Sequence, residues 1–186
     1  MHTYLVLLRG VNVGGKNKVP MATLRACLTE AGFSNVTTFI ASGNVIVQSS
    51  KTAKDVKKEI ETLLPTCFSL DTSLIKVLVL TRQQLQHIID ARPKGFGEQP
   101  EHYHSDAIFL IDIPVIDALR VFDPREGVDA IWPGDGVIYS QRVSELRTKS
   151  RLSKIIGTPA YASMTVRSWN TTITLLRLLI ETEKKL

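Results

Sequence analysis

Cysteine is scarce in this chain, because Cys27 and Cys67 are its only two. Two cysteines are too few for the disulfide scaffold of a small secreted protein or for a four-cysteine zinc site. The N-terminus also lacks the pattern of a secretory signal, since its first apolar run, Tyr4–Leu8, is short and ends at Arg9. We therefore expect reduced thiols and a cytoplasmic location.

Long apolar runs and metal-ligand clusters are also missing. The most apolar segment, near the C-terminus, is interrupted by Arg177, so we expect no membrane partner. His102 and His104 lie beside Glu101 and Asp106, but i, i+2 spacing in a linker does not make a metal site. No G-x-S-x-G nucleophile motif occurs. The sequence therefore predicts no metal and no cofactor, and it identifies no catalytic residue.

The remaining composition is that of a folded protein. Of 186 residues, 44% are hydrophobic and 22% are charged, which is ordinary for a chain that buries a core. Lysine and arginine number 23 against 18 acidic residues, a net charge of +5. This excess favours an anionic partner such as phosphate, a nucleotide or a nucleic acid. The oligomeric state is left open.

A basic, glycine-bearing loop follows the first predicted strand. The segment Thr3–Pro20 reads TYLVLLRGVNVGGKNKVP and holds no acidic residue. Glycine permits backbone conformations in which several N–H groups point to one place, and cations surround these glycines. We expect the loop to bind an anion together with Ser42, Gly43 and Asn44. The candidate ligand-binding residues of the loop itself are Arg9, Gly10, Asn12, Gly14, Gly15, Lys16 and Lys18.

Residues 10–17 also resemble the phosphate loop of nucleotide triphosphatases, G-x-x-x-x-G-K-[ST]. Asn17 replaces the hydroxyl residue that would bind Mg²⁺ there, and Pro20 delays the following helix. The hairpin predicted after that helix is incompatible with the parallel sheet of the phosphate-loop fold. We therefore interpret this similarity as accidental.

Apolar periodicity in the first half predicts the order strand, helix, strand, strand, helix, strand. This is the split β-α-β order of a ferredoxin-like plait. Its first and third strands are neighbours, so the loop and the Ser42–Asn44 hairpin should share one end of the sheet. The predicted elements are a strand at Tyr4–Leu8, a helix from Pro20 to Gly32, strands on both sides of Ser42–Asn44, a helix ending at Pro65 and a strand at Leu74–Leu80.

The second half predicts a similar order. A connecting helix and a linker over 83–105 lead to a strand, a short helix, a hairpin and a helix over about 143–156. A last amphipathic helix begins at Thr165. We therefore predict an α+β protein with two ferredoxin-like subdomains of similar topology, 1–82 and 106–186, the second of which ends in an extra C-terminal helix.

Two basic features of the second half extend the candidate site. Arg147, Arg151 and Lys154 stand at i, i+4 and i+7, so they would form a stripe along the predicted helix over 143–156. The last helix opens with basic and amide side chains, and the free N–H groups of a helix N-terminus attract anions. The candidate residues of these features are Ser150, Arg151, Arg167 and Asn170.

Three motifs together carry a family resemblance, namely LLRGVNVGGKNKVPM, FIASGNVIV and TVRSWNT. With them the chain resembles, over essentially its full length, the bacterial family called domain of unknown function 1697. The resemblance implies a pair of α+β subdomains of like topology, without an established activity. Ala41 and Ser168 stand where that family usually has amide side chains, and Arg151 replaces a usual lysine.

These observations lead to one preferred hypothesis and two alternatives. The preferred one is a cytoplasmic protein that binds an anionic ligand, nucleic acid or nucleotide, through the basic loop. The first alternative is an enzyme that acts there on a small phosphorylated or carboxylated substrate, with Arg9 and Lys16 stabilising charge and Asn44 orienting the substrate. The second is a scaffold in which the motifs are purely structural.

Overall fold

Two four-stranded antiparallel sheets organise the part of the chain that the computed structural model describes, residues 1–184. The chain divides into two compact units. The first unit comprises Met1–Gln86 and the residues from Leu175 onward, and the second comprises His87–Thr174. The sequence placed the whole C-terminal helix in the second half, whereas its residues from Leu175 belong to the first unit.

The first sheet has the strand order of a ferredoxin-like plait, β2-β3-β1-β4. Its strands are β1 His2–Leu8, β2 Ser34–Phe39, β3 Asn44–Ser49 and β4 Val77–Thr81. The helices are α1 Met21–Glu30, α2 Ala53–Cys67 and α3 Arg82–Asp90, the last of which ends in the second unit. We expected α2 to end at Pro65, but Pro65 lies inside its last turn.

The core of the first unit lies between one face of this sheet and helices α1 and α2. Val6, Leu8 and Val47 of the sheet are fully or almost fully buried there against Leu28 and Ile60 of the helices. Burial of one such side chain stabilises the fold by roughly 1.5–3 kcal/mol. Apolar residues at helical spacing in α1 and α2, and at every second position of the strands, therefore form the core of this unit.

A disulfide joins the two helices of this layer, between Cys27 of α1 and Cys67 at the end of α2. Our expectation of reduced thiols was therefore wrong. The two cysteines are separated by 40 positions in the sequence, but their Cα atoms lie 6.6 Å apart because both helices pack on the same face of the sheet. Sequence spacing alone does not show such a pairing.

The second sheet repeats the same order, β6-β7-β5-β8. Its strands are β5 Tyr103–Leu110, β6 Asp129–Gly134, β7 Val137–Val143 and β8 Met164–Ser168. The helices of this part are α4 Val115–Leu119 and α5 Trp169–Glu183. The duplicated, ferredoxin-like α+β architecture with an additional C-terminal helix is therefore confirmed.

The prediction of a helix over 143–156 is wrong, and so is the prediction of a basic stripe along that helix. Short 3-10 segments, Ser144–Lys149 and Leu152–Ile155, occupy this region. Ser150 between them is extended (φ −62°, ψ 143°). Two backbone N–H groups, of Arg125 and Arg151, donate to Oδ2 of Asp129, at 3.0 and 2.8 Å. Tertiary hydrogen bonds to this carboxylate therefore override the helical pattern.

The first residues of the expected last helix are also different. Met164–Ser168 is strand β8, paired with β5, and the helix begins at Trp169. The Ser168 side chain ends the strand by accepting a hydrogen bond from the N–H of Thr171 at 3.2 Å, as an N-cap residue does. None of the helices within residues 1–184 combines the length and apolar character needed to cross a bilayer.

The C-terminal part of α5 lies against the second face of the first sheet. Nε2 of Gln48, on β3, donates to the carbonyl of Thr182 at 3.4 Å. Leu175 and Leu178 of α5 line a small cavity together with Ile46 of β3. This is the sheet face on which plait-type RNA-binding modules stack bases, and here a helix lies across it.

Candidate functional site

The glycine-bearing loop is a small projecting hairpin. The N–H of Asn12 donates to the carbonyl of Asn17, and the N–H of Lys16 donates to the carbonyl of Val13, both at 3.1 Å. Gly14 and Gly15 at the tip have φ of +59° and +76°. Positive φ at both central positions is the pattern of a type I′ turn, which glycine adopts at little cost. Gly14 and Gly15 are therefore the turn residues of this hairpin.

Asn12 fixes the hairpin from one side. Its Nδ2 donates to the carbonyls of Val19 and Ala41, at 2.9 and 2.7 Å, and its Oδ1 accepts from the N–H of Val19 at 2.8 Å. All of these bonds are to backbone groups, so the amide links the hairpin to the turn before β3. The side chain of Asn12 is therefore committed to holding the loop.

Asn17 fixes the hairpin from the opposite side and is buried. Its Nδ2 donates to the carbonyl of Gly10 at 3.1 Å. Its Oδ1 accepts from the N–H groups of Asp71 and Thr72, at 2.9 and 3.2 Å, while its own N–H donates to the Asp71 carboxylate. Three loops thus meet at one end of the first sheet. We call residues 9–20, 40–43 and 71–76 the loop rim.

The Ser42–Asn44 turn contributes Ser42 and Gly43 to this rim, as the predicted topology requires. The N–H of Leu8 donates to the carbonyl of Gly43 at 2.9 Å. Gly43 has φ of +76°, and a Cβ there would lie 2.7 Å from Cγ2 of Val11 and 2.8 Å from Cβ of Leu8. Only glycine allows this approach of the turn to the loop. The expected neighbourhood of loop and turn is confirmed.

Asn44 has a structural position in this turn. Its side chain is fully buried and donates from Nδ2 to the carbonyl of Phe39 at 3.0 Å and to Oγ of Ser42 at 2.9 Å. A fully buried amide does not contact a ligand in solvent. The sequence identified the right turn, but it assigned Asn44 to a ligand that this side chain does not reach.

The cations of the rim are more accessible. Lys16 and Lys18 are exposed, and among residues 1–184 neither forms an ion pair. Arg9 is half-buried, and its N–H donates to the carbonyl of Lys76 at 3.0 Å. Lys76, which we did not predict, thereby joins the rim. The signal was the antiparallel pairing of β4 with β1, which brings the start of β4 to the end of β1.

Exposed apolar side chains accompany these cations. Val13, Ile40 and Leu74 are 66%, 52% and 49% exposed, and each lies in a different loop of the rim. Ile40 also has φ of +50°. A left-handed backbone costs a β-branched residue roughly 1–2 kcal/mol. The rim therefore combines positive charge, exposed apolar groups and a strained residue.

In the second unit, Ser150 and Arg151 surround a carboxylate of the protein itself. Burial would raise the pKa of Asp129, but hydrogen bonds from the N–H of Arg151, from Ser150 and from the N–H of Arg125 lower it below its ordinary value. The Arg151 guanidinium pairs with Asp123 at 3.0 Å. These two candidate residues therefore have protein partners.

Arg167 and Asn170, the other two candidates of the second unit, differ in their surroundings. Arg167 is 6% exposed, and its Nη1 donates to Oγ1 of Thr165 at 2.9 Å and to the carbonyl of Val166 at 2.8 Å. Burial lowers the pKa of Arg167 to about 10, so the guanidinium is still charged at neutral pH. Asn170 is exposed and borders a cavity of the second unit.

The sequence model of the family described as "Protein of unknown function (DUF1697)" matches residues 1–139. The chain belongs to this family. The matched residues of the DUF1697 chain include the complete loop rim. Among curated proteins, none matches this sequence.

A solved structure is similar to the DUF1697 chain over nearly its whole length. It is described as that of the conserved bacterial protein SP0830 from Streptococcus pneumoniae. The alignment has a TM-score of 0.76 and 24% sequence identity, and it covers 95% of this chain and 98% of the other. At this level of identity the similarity shows a shared fold.

Proposed function

We propose that this DUF1697 protein binds nucleic acid through the loop rim. The observation that carries the proposal is the exposure of Lys16 and Lys18, without a carboxylate partner among residues 1–184, on a hairpin fixed by Asn12 and Asn17. Solvated lysines of this kind attract phosphates by releasing their condensed counterions. By sequence the rim holds four cations and one carboxylate, Asp71.

The rigidity of the hairpin supports binding. The hydrogen bonds of Asn12 and Asn17 hold the segment between them in one conformation before any ligand arrives. Binding therefore does not require much additional ordering of this backbone, so less of the favourable contact energy is lost. A surface loop without such bonds would lose more conformational entropy on binding.

The shape of the rim favours a macromolecular polyanion over a small anion. Val13 at the hairpin tip is 66% exposed, and no atom lies within 4 Å of the Cβ positions of Gly14 and Gly15. This tight hairpin is closed by a single bridge between Val13 and Lys16, and a tip of this kind is narrow enough to enter a nucleic-acid groove. Apolar side chains such as Val13 and Ile40 can contact bases while lysines contact phosphates.

The test is fluorescence anisotropy with short labelled single-stranded RNA, single-stranded DNA and duplex DNA. Lys16→Ala/Lys18→Ala is compared with the control Lys54→Ala/Lys58→Ala, which removes two exposed charges from α2. Affinity is measured between about 50 and 200 mM salt, where phosphate contacts dominate the salt dependence. We expect the rim variant to bind at least about tenfold more weakly, with the log–log salt slope reduced by about two.

The control variant should bind like the wild type. Equal losses in both double variants would mean that only net charge matters and would contradict a site at the rim. Binding that is insensitive to salt would contradict phosphate contacts altogether. An absence of binding to all three probes would favour the scaffold alternative.

The enzyme alternative, in which Arg9 and Lys16 would stabilise charge, is less well supported than nucleic-acid binding. It required Asn44 to orient a substrate, and that side chain is buried in its own turn. The cytoplasmic location stays a prediction, because it was argued in part from reduced thiols, whereas Cys27 and Cys67 form a disulfide in this structure. In that compartment the Cys27–Cys67 disulfide would be exposed to cellular reductants.

A further inference from the structure

A second candidate site lies wholly within the second unit. A cavity of about 240 Å³ opens there between the start of β5 and the start of α5. This volume is below the roughly 300 Å³ at which sites for drug-sized ligands begin. Its lining includes Tyr103, His104, Ser105, Ser168, Trp169 and Asn170. The cavity does not involve the loop rim.

The aromatic part of the lining is held in place by its neighbours. The ring of Trp169 meets the rings of Phe96 and Tyr139 edge to face, with centroids 5.0 and 6.3 Å apart. Gly97 lies directly against the indole, since an added Cβ there would overlap its ring atoms. Trp169 therefore has a fixed orientation, and together with Tyr103 it favours a planar ligand.

The polar part of the lining begins with a histidine held by a carboxylate. Nε2 of His104 lies 3.1 Å from Oδ2 of Asp106, whose side chain is 17% exposed. A hydrogen bond from Nε2–H to a carboxylate leaves the lone pair of a neutral imidazole on Nδ1. Among residues 1–184 this Nδ1 has no protein partner. His104 thus offers the cavity an acceptor.

The other polar groups of the lining are uncharged. The Asn170 side chain has no protein partner among residues 1–184, and it offers both a donor and an acceptor. Oγ of Ser105 accepts from Nε2 of Gln141 at 3.0 Å, so its proton remains available to a ligand. Asp, Glu, Lys and Arg are absent from the cavity lining within the described chain. A phosphate or carboxylate would find no opposite fixed charge there.

A small planar ligand with donors and acceptors on its edge, and no charge, fits these groups. We propose that the cavity binds a nucleobase, with His104, Ser105 and Asn170 contacting its polar edge and Trp169 and Tyr103 forming the aromatic walls. Amide side chains pair with base edges, and aromatic side chains contact base rings. The same chemistry is presented by a free nucleoside and by an unpaired base in a nucleic acid.

The test is isothermal titration calorimetry of the full chain with adenosine, guanosine, cytidine and uridine, with ribose as the probe that lacks a base. His104→Ala and Asn170→Ala are compared with His102→Ala, which removes a neighbouring exposed histidine outside the lining. We expect at least one nucleoside to bind and each lining variant to weaken it by about tenfold, the effect of one lost hydrogen bond. His102→Ala should bind like the wild type.

The two sources of the base are distinguished by a second pair of probes. An unpaired base in a single-stranded oligonucleotide is compared with the same oligonucleotide carrying an abasic position. Tighter binding of the intact oligonucleotide, lost in Asn170→Ala, would identify nucleic acid as the source. Tighter binding of the nucleoside than of the intact oligonucleotide would identify the free nucleoside.

The proposal is overturned if no nucleoside gives saturable heat, if ribose binds equally well, or if His104→Ala and Asn170→Ala bind like the wild type. The Lys16→Ala/Lys18→Ala variant should still bind the nucleoside, because the cavity is formed by the second unit alone. Failure at the cavity is thereby distinguishable from failure at the loop rim.

Discussion

Single residues decide the geometry of the loop rim. Asn12 and Asn17 direct their side-chain hydrogen bonds to the loops that meet there. The sequence marked Asn12 as a ligand contact and Asn17 as a missing hydroxyl, because an amide in a glycine-bearing loop does not reveal whether it faces a ligand or the backbone. Gly43 was also assigned to a ligand, but the structure gives another reason for glycine at this position. A side chain there would overlap Val11.

Gly43→Ala should lower the free energy of unfolding by about 2–4 kcal/mol, because it combines left-handed strain with overlap of two neighbouring side chains. The matched control is Gly14→Ala, at φ +59° with no atom near its Cβ position, which should lose only about 1 kcal/mol. Urea denaturation measures both. Equal losses would show that the contact with Val11 and Leu8 does not matter.

Ile40→Asn should increase the stability of the protein by about 1 kcal/mol, because asparagine tolerates the left-handed backbone better than a β-branched residue does. It should also weaken nucleic-acid binding if the exposed side chain contacts bases. Ile116→Asn, a change at an equally exposed position of α4 without positive φ, is the control and should bring no gain. A destabilised Ile40→Asn variant would refute the argument from strain.

Asp129 makes the free energy of unfolding depend on pH in the acidic range. Its folded-state pKa lies below the ordinary 3.8, so its contribution is present above pH 3.8 and is lost as pH falls through the lower folded value. Asp129→Ala should therefore be less stable than the wild type by about 1–3 kcal/mol at neutral pH, and the difference should shrink in acid. Denaturation at several pH values measures it, with Glu126→Ala as control. A gap that stays constant in acid would contradict this assignment.

At the scale of elements, the two halves were unequally predictable. In the first half, the apolar segments and the Ser-Gly-Asn turn predicted the strands and helices. The strand order of the sheet then followed from the order of these elements. In the second half, the sequence predicted a helix over 143–156, whereas the structure has 3-10 segments there and the N–H of Arg151 donates to Asp129. That bond joins residues 22 positions apart, and local periodicity cannot register such a bond.

The disulfide between α1 and α2 should stabilise the first unit by as much as about 4 kcal/mol, the chain-entropy value for its 40-residue separation. Peptide mapping without reductant should recover Cys27 linked to Cys67, and reductant should lower the unfolding temperature. Cys27→Ala/Cys67→Ala should not respond to reductant. Two freely alkylated cysteines in the folded protein would contradict the pairing.

At the scale of the whole molecule, two units of the same strand order carry different candidate sites. The first presents a basic, partly apolar rim of three loops, and the second encloses an uncharged cavity beside Trp169. The sequence predicted the rim because cations and glycines follow a strand. It did not predict the cavity, because His104 and Asp106 are more than 60 positions from Trp169 and Asn170 in the sequence. Only the fold brings these residues together.

Binding at the loop rim is tested most directly by a map of backbone amide chemical shifts during titration with a short single-stranded oligonucleotide. Residues 12–18, 40–43 and 71–76 should shift at low saturation, and these changes should disappear in the Lys16→Ala/Lys18→Ala variant. Shifts confined to the exposed faces of α1 and α2, with the loop rim unchanged, would contradict this prediction.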